Sequence, residues 1–266
     1  MRRLLIAALA VALPLAAHAA DCTPRVPAAA LLKPGTLTMS TNPTLPPLQY
    51  VDSSGALKGM RIELGAEIAR RLCLVPEYVR VEFSAMVPGL AAGRWDMIDT
   101  GIFFTPARVK IMQMIPYENQ AISLSVPNGN PDHVTTVADL KGKALGVEIG
   151  GFEAEQANKI AAAAGATVRA FDNFGVAFQA LHAGQVDAVV TIDATAKLYQ
   201  DRGAFTRAIS GLYPAPVALA FKSKALADAV LGALDAMKRD GSYDRLFAQY
   251  GLAPFPEAFA VRGPAG

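Results

Sequence analysis

Phe83-Ser-Ala-Met-Val-Pro-Gly-Leu90-Ala-Ala92-Gly93-Arg-Trp-Asp96 is echoed by Phe174-Gly-Val-Ala-Phe-Gln-Ala-Leu181-His-Ala183-Gly184-Gln-Val-Asp187, with Phe, Leu, Ala, Gly and Asp each recurring 91 positions later. Each copy reads as a helix stopped at a glycine, where left-handed backbone costs least, followed by an aspartate just ahead of an apolar strand. Those strands are Met97-Ile98 and Ala188-Val189-Val190. One helix-to-strand junction used twice predicts two lobes built on a shared plan.

Outward from these junctions the pattern alternates short apolar runs with amphipathic ones, which is the mark of α/β layering with parallel strands. Gly35 to Ser40 reads as a strand, and the helix from Met60 carries Leu64, Ile68 and Leu72 on one face. Between them, Asn42 to Gly59 is too rich in proline and glycine for regular structure. Such loops, leaving the carboxyl end of a strand, are where open α/β sheets place ligands. After the turn cluster Pro127-Asn-Gly-Asn-Pro131 a second series begins, with a strand at Ala144 to Val147 and a helix from about Glu153 to Ala164 stopped by Gly165. The C-terminal part returns to helix: Leu226, Val230, Leu234 and Met237 share a face, then Tyr243, Leu246, Phe247 and Tyr250 another. Two extended crossings, Ile122 to Val126 and Val217 to Phe221, flank the middle series and predict a two-stranded hinge. The expected division is residues 20–121 with 220–266 as lobe 1 and residues 122–219 as lobe 2.

The first 19 residues read as an export address: Arg2 and Arg3, an apolar run from Leu4 to Ala17, and Ala17-His18-Ala19 as a cleavage pattern. The run is shorter than the ~20 residues that span a bilayer. Asp21 before Cys22 argues against a lipid anchor, so a periplasmic protein with no membrane attachment of its own is expected. Loss of Arg2 and Arg3 takes Lys+Arg from 25 to 23, equal to Asp+Glu at 23, which removes the basic excess that nucleic-acid binding needs. In an oxidising compartment Cys22 and Cys73 are expected to pair, the alternative being a buried free Cys73 and an exposed free Cys22.

Function is carried by Gly101-Ile-Phe-Phe-Thr105-Pro106-Ala107-Arg108. Thr105 suits an N-cap and Pro106 the first helical position, which puts Arg108 in a first turn, beside the positive end of the helix. A cation there makes sense where an anion sits between the guanidinium and the free backbone N–H groups, and a carboxylate held bidentately fits.

Phe83 with Met86-Val-Pro-Gly-Leu90, Gly93-x-x-Asp96, Thr100-Gly101, Thr105-Pro-x-Arg108 and Pro116-Tyr117 resembles the periplasmic solute-binding proteins of polar amino-acid ABC importers. Pro46-Pro47, Gly55-x-x-x-Gly59, Asp139-Leu-Lys-Gly-Lys143, Gly146-Val147 and Gly241-Ser-Tyr-Asp fit the same family, so the likeness runs from about residue 35 to 252. The resemblance implies a two-lobed periplasmic-binding-protein fold whose lobes close on a small carboxylate-bearing molecule, an amino acid above all. It implies a monomer that hands its guest to the membrane subunits of an importer. Arg108 would clamp the carboxylate, the backbone at Gly101 would add hydrogen bonds, Phe83 would pack on the guest's side chain, and Thr100 is a further ligand-binding candidate. From lobe 2, Gly151, Phe152 and Glu153 would bring backbone N–H groups to the same carboxylate. Three positions depart from the family: Leu45 stands where an aromatic is usual, Phe103 where a hydroxyl is usual, and Asp193 follows Ile192, where the ammonium-binding acid normally falls. Phe83, Phe103 and Phe152 together predict an unusually apolar cleft.

No zinc-ligand spacing, nucleophile elbow or phosphate loop is present, so no cofactor, metal or nucleophilic chemistry is expected. Two rivals share the scaffold. A cyclohexadienyl dehydratase-like enzyme would need a carboxylic acid, which Glu153 could supply, and a receptor's sensor domain would call for a spanning helix that the sequence to Gly266 lacks.

Overall fold

The computed structural model describes residues 22, 23 and 25–264; the leader read at residues 1–19 lies outside them. The chain begins with β1 (Thr36–Thr41), a small three-stranded sheet of β2 (Thr44–Leu45), β3 (Gln49–Val51) and β4 (Leu57–Lys58), and helix α1 (Met60–Arg71). Then come β5 (Val75–Arg80), α2 (Met86–Ala91), β6 (Met97–Phe103), the single turn α3 (Pro106–Val109) and the long β7 (Gln113–Pro127). The second series is β8 (Ala144–Glu148), α4 (Phe152–Ala164), β9 (Thr167–Phe171), α5 (Phe174–His182), β10 (Ala188–Ile192) and α6 (Asp193–Asp201). The long β11 (Phe205–Phe221) returns, and α7 (Lys224–Arg239) and α8 (Ser242–Gln249) follow.

The large sheet runs β5-β1-β6-β11-β7-β10-β8-β9. Its flanks are parallel, β5-β1-β6 on one side and β10-β8-β9 on the other, and the antiparallel pair β11 and β7 joins them. These two strands are the expected crossings, longer than the sequence pattern suggested because the pairing carries on into both halves. Their register shifts repeatedly between Arg207 and Ala218, and Gly211 and Tyr213 within that stretch have φ of 73° and 47°. Bulges of this kind loosen and bend a ladder, which places the flexible joint between the halves.

The recurring junction is a real structural repeat. Gly93 and Gly184 both take φ 68°. Asp96 receives the Thr38 amide at 2.9 Å and donates its own to Thr38 O at 2.8 Å, while Asp187 receives the Ala144 amide at 2.7 Å and donates to Ala144 O at 2.8 Å. Each aspartate thus stitches its strand to the neighbouring parallel strand, β1 or β8. The copies differ at their start: residues Phe83–Ala85 form a 3-10 turn and α2 begins only at Met86, whereas α5 begins at Phe174. Pro88 has no N–H to give the Ser84 carbonyl, so the first copy cannot hold a full α-turn there.

Packing follows the periodicity. Leu64, Ile68 and Leu72 of the α1 face are buried, as are Leu226, Val230, Leu234 and Met237 of α7. On α8 the buried stripe is narrower, Tyr243 and Phe247 only, because the Tyr243 hydroxyl reaches in to donate to Tyr117 O. Cys22 and Cys73 are joined in a disulfide with Cα atoms 5.4 Å apart, which ties the start of the described chain to the end of α1. On the chain-entropy model a closed loop of 51 residues is stabilised by about 4 kcal/mol. No helix of the described residues is long and apolar enough to cross a membrane.

Candidate functional site

The carboxyl ends of the parallel strands from both halves converge on one tight crevice, a cavity of about 20 Å³. Asn42 follows β1, Thr100, Gly101 and Phe103 end β6, Glu148 ends β8 and Ile192 ends β10, and each of them lines it. This is the position that the parallel topology reserves for ligands. The halves meet across it. Asn42 Nδ2 donates to Glu148 Oε1 at 2.5 Å, Asn173 Nδ2 donates to Glu82 Oε1 at 3.2 Å, and the Phe103 and Phe152 rings stack with centroids 4.4 Å apart. The crevice is closed.

Its lobe 1 floor is built around Arg61 on α1, a residue the sequence reading passed over. The side chain is 2% exposed. Its Nε donates to Glu118 Oε2 at 3.1 Å, and its Nη1 to Gln49 Oε1 at 3.2 Å and to the Thr100 carbonyl. Glu118 also accepts from Gln120, so the anchor of this arginine is the hinge strand β7 itself. Gly101 makes the arrangement possible: it takes φ 77°, and a Cβ there would run into the Arg61 guanidinium. Beneath lies Asp99, wholly buried with both oxygens unpartnered, and burial pushes its carboxyl up to about 8 although Arg61 pulls the other way.

Of the residues singled out from sequence, Leu45, Phe83, Thr100, Gly101, Phe103 and Glu153 line the crevice. Arg108 stands one layer behind. Thr105 caps α3 by accepting the Arg108 amide at 3.3 Å, as its residue type led us to expect, and the guanidinium lies 5.7 Å from the Phe83 ring centroid while donating to Phe103 O at 2.9 Å. Its charge faces Glu153 and Glu155 of α4. Gly151 is the N-cap of α4 and Phe152 stacks on Phe103, but neither is among the residues that line the crevice. Asp193 is not brought to the crevice: it accepts two hydrogen bonds from Arg207 Nη1 at 2.8 and 2.9 Å and one from Ser123. As the first residue of α6, Asp193 falls one position past the end of β10, and its side chain turns to the other side of the strand.

Lobe 2 instead supplies two other carboxylates, Glu148 and Glu153, at 2% and 7% exposure. Burial drives both upward: the Glu153 and Glu82 charges push Glu148 further while the Asn42 hydrogen bond draws it back, and the Glu153 backbone N–H, Arg108 and Arg61 draw Glu153 down. Asn42, Arg61, Glu148 and Val217 were legible only as loop, helix or strand residues. Nothing in a periodic pattern tells a strand's last residue that it will face a crevice.

A sequence model described as bacterial extracellular solute-binding proteins, family 3, matches residues 37–145, and one described as NMT1/THI5 like matches residues 110–212. The structure of an ancestral arginine-binding protein bound to arginine superposes with a TM-score of 0.76 at 33% identity, over 81% of this chain and 98% of that one. The chain belongs to the family 3 extracellular solute-binding proteins. Among curated members, the L-cystine-binding protein TcyJ of Escherichia coli strain K12 is 28% identical over 222 residues, covering 80% of this chain and 81% of its own. The lysine/arginine/ornithine-binding periplasmic protein of the same strain is 28% identical over 232 residues, covering 82% and 88%. Family 3 membership accounts for the two-lobed fold and for the crevice at the strand ends.

Proposed function

We propose that this protein captures a small carboxylate-bearing molecule, an amino acid or a related acid, between lobe 1 (residues 20–121 and 220–266) and lobe 2 (residues 122–219), and passes it to an ABC importer. The observation that carries this is the crevice: it is lined from both halves of the sheet, arginine stands on the lobe 1 side, and hydrogen bonds and a ring stack cross it. Relatives named for binding cystine or basic amino acids support it. In this reading Arg108 swings from Phe103 O to the guest's carboxylate, a better acceptor than a carbonyl. Thr100 and Gly101 border the same spot, Phe83 and Leu45 flank the guest's side chain, and Phe103 and Phe152 seal it. Only the closed form completes these contacts, so closure reports occupancy to the importer. The protein acts as an exported monomer, in keeping with its disulfide and its leader-like start.

A thermal-shift screen across amino acids and small organic acids tests it. A guest at 100 times its dissociation constant adds about 2.7 kcal/mol, and a panel without any stabilising member contradicts the proposal. One observation favours a second reading, a dehydratase-like enzyme: Glu153 is a buried carboxyl beside the crevice that burial pushes above the usual carboxylate range, the direction a general acid requires. Phenylpyruvate appearing in the ultraviolet from prephenate, with loss of water and carbon dioxide, or phenylalanine from arogenate would establish that reading, and the absence of both would remove it.

A further inference from the structure

A second, larger cavity of about 630 Å³ lies just outside the crevice. Lobe 1 walls it with Phe104 and the start of α3, lobe 2 with one face of α4, and the hinge strand β11 with Tyr213 and Pro214. The partition between the two spaces is the ring stack: Phe103 lines the crevice, Phe152 lines the outer cavity, and their centroids are 4.4 Å apart. At about 20 Å³ the crevice falls far below the ~300–1,000 Å³ of a small-molecule site, and the outer cavity falls within that range.

Gln156 gives the outer cavity a polar group in need of a partner. It is 2% exposed, its side-chain amide makes no hydrogen bond among the described residues, and it lines this cavity. Buried polar groups are hydrogen-bonded with few exceptions, so a partner from outside the chain is called for. A side-chain amide offers a carbonyl acceptor and N–H donors together, and a second amide matches both. Most of the remaining lining is apolar, and its charged members, Glu155 and Lys159, neutralise each other across 2.7 Å. An occupant suited to this space is uncharged, carries an amide, and is flat enough to lie between two parted rings.

We propose that the guest is an N-acylated amino acid, its carboxylate in the crevice and its acyl arm threaded between Phe103 and Phe152 into the outer cavity, where Gln156 pairs with its amide. This rests on carboxylate capture at the crevice and names the kind of acid captured. Both lobes and the hinge strand border the arm, so it adds to the contacts that only the closed form completes. Acylation also removes the guest's ammonium. That fits a lobe 2 wall where Asp193 is taken up by Arg207 and burial pushes the Glu148 and Glu153 carboxyls toward their neutral form.

Titration calorimetry on the mature protein tests this with L-amino acids and, for each, its N-acetyl and N-benzoyl derivatives. The acylated forms are expected to bind about tenfold more tightly than the parent amino acid, the gain of one or two buried hydrogen bonds. Gln156→Leu removes the amide, and Ala107→Trp fills the outer cavity from an exposed position where the fold does not depend on the side chain. Each variant is expected to bring acylated and parent acids to within about threefold of each other at an unchanged melting temperature. Acylated forms that bind no more tightly than their parents overturn the inference and leave carboxylate capture standing. Retention of the full preference by Ala107→Trp does the same, whether or not Gln156→Leu folds. A protein that binds neither series overturns both.

Discussion

Asn42 Nδ2 lies 2.5 Å from Glu148 Oε1, a hydrogen bond between the carboxyl end of the first strand of lobe 1 and that of lobe 2. It is buried, and the register shifts of β11 give the strands that would flex when it breaks. Asn42→Asp sets a second carboxylate against Glu148, and like charges at this spacing repel. Small-angle scattering of the guest-free variant at pH 8 is expected to give a larger radius of gyration than the wild type, with the difference shrinking at acidic pH as both carboxyls take protons. Identical scattering at pH 8 would show that this bond does not hold the lobes together.

Arg61 and Glu118 form a buried pair, and removing one partner strands the other's charge. Arg61→Met is expected to cost about 3–5 kcal/mol in urea-unfolding stability, and Arg61→Met/Glu118→Gln to recover most of it. Equal losses in the single and double variants would mean that packing around α1, not the stranded charge, sets the cost.

Asp99 ties stability to pH. Its folded-state value near 8 exceeds the ordinary 3.8 of the unfolded chain. Between those values the folded state binds the extra proton, so its contribution to stability falls as pH rises from about 4 to about 8 and levels off above. Asp99→Asn removes that slope. Unfolding midpoints of the variant and the wild type should match near pH 4 and diverge in the variant's favour by pH 8; a constant gap across the range would contradict the assignment.

How much of this was legible in the sequence depends on whether a residue's role was local. The Asp96 and Asp187 junctions, the α1 face and the Thr105-Pro106 helix start are set by neighbours a few positions away, and periodicity and capping chemistry expose them. The pairing of Cys22 with Cys73 followed from compartment chemistry rather than pattern. Arg61 escaped notice because it sits on the buried side of a helix whose apolar stripe is complete without it, and its partners, Gln49, Thr100 and Glu118, arrive from three separate strands. Asp193 invited the wrong weight for the same reason: one residue past the end of β10 its side chain meets Arg207, a contact made only once β11 has returned.

The most direct measurement is the calorimetric affinity of the mature protein for its best-binding amino acid, compared with that of Arg108→Ala. The expected result is a stabilising guest whose binding weakens by about 2–5 kcal/mol in the variant, because a buried carboxylate loses its guanidinium. An unchanged affinity would remove Arg108 from the site, and a protein that binds no amino acid would contradict the capture of such a guest between the lobes.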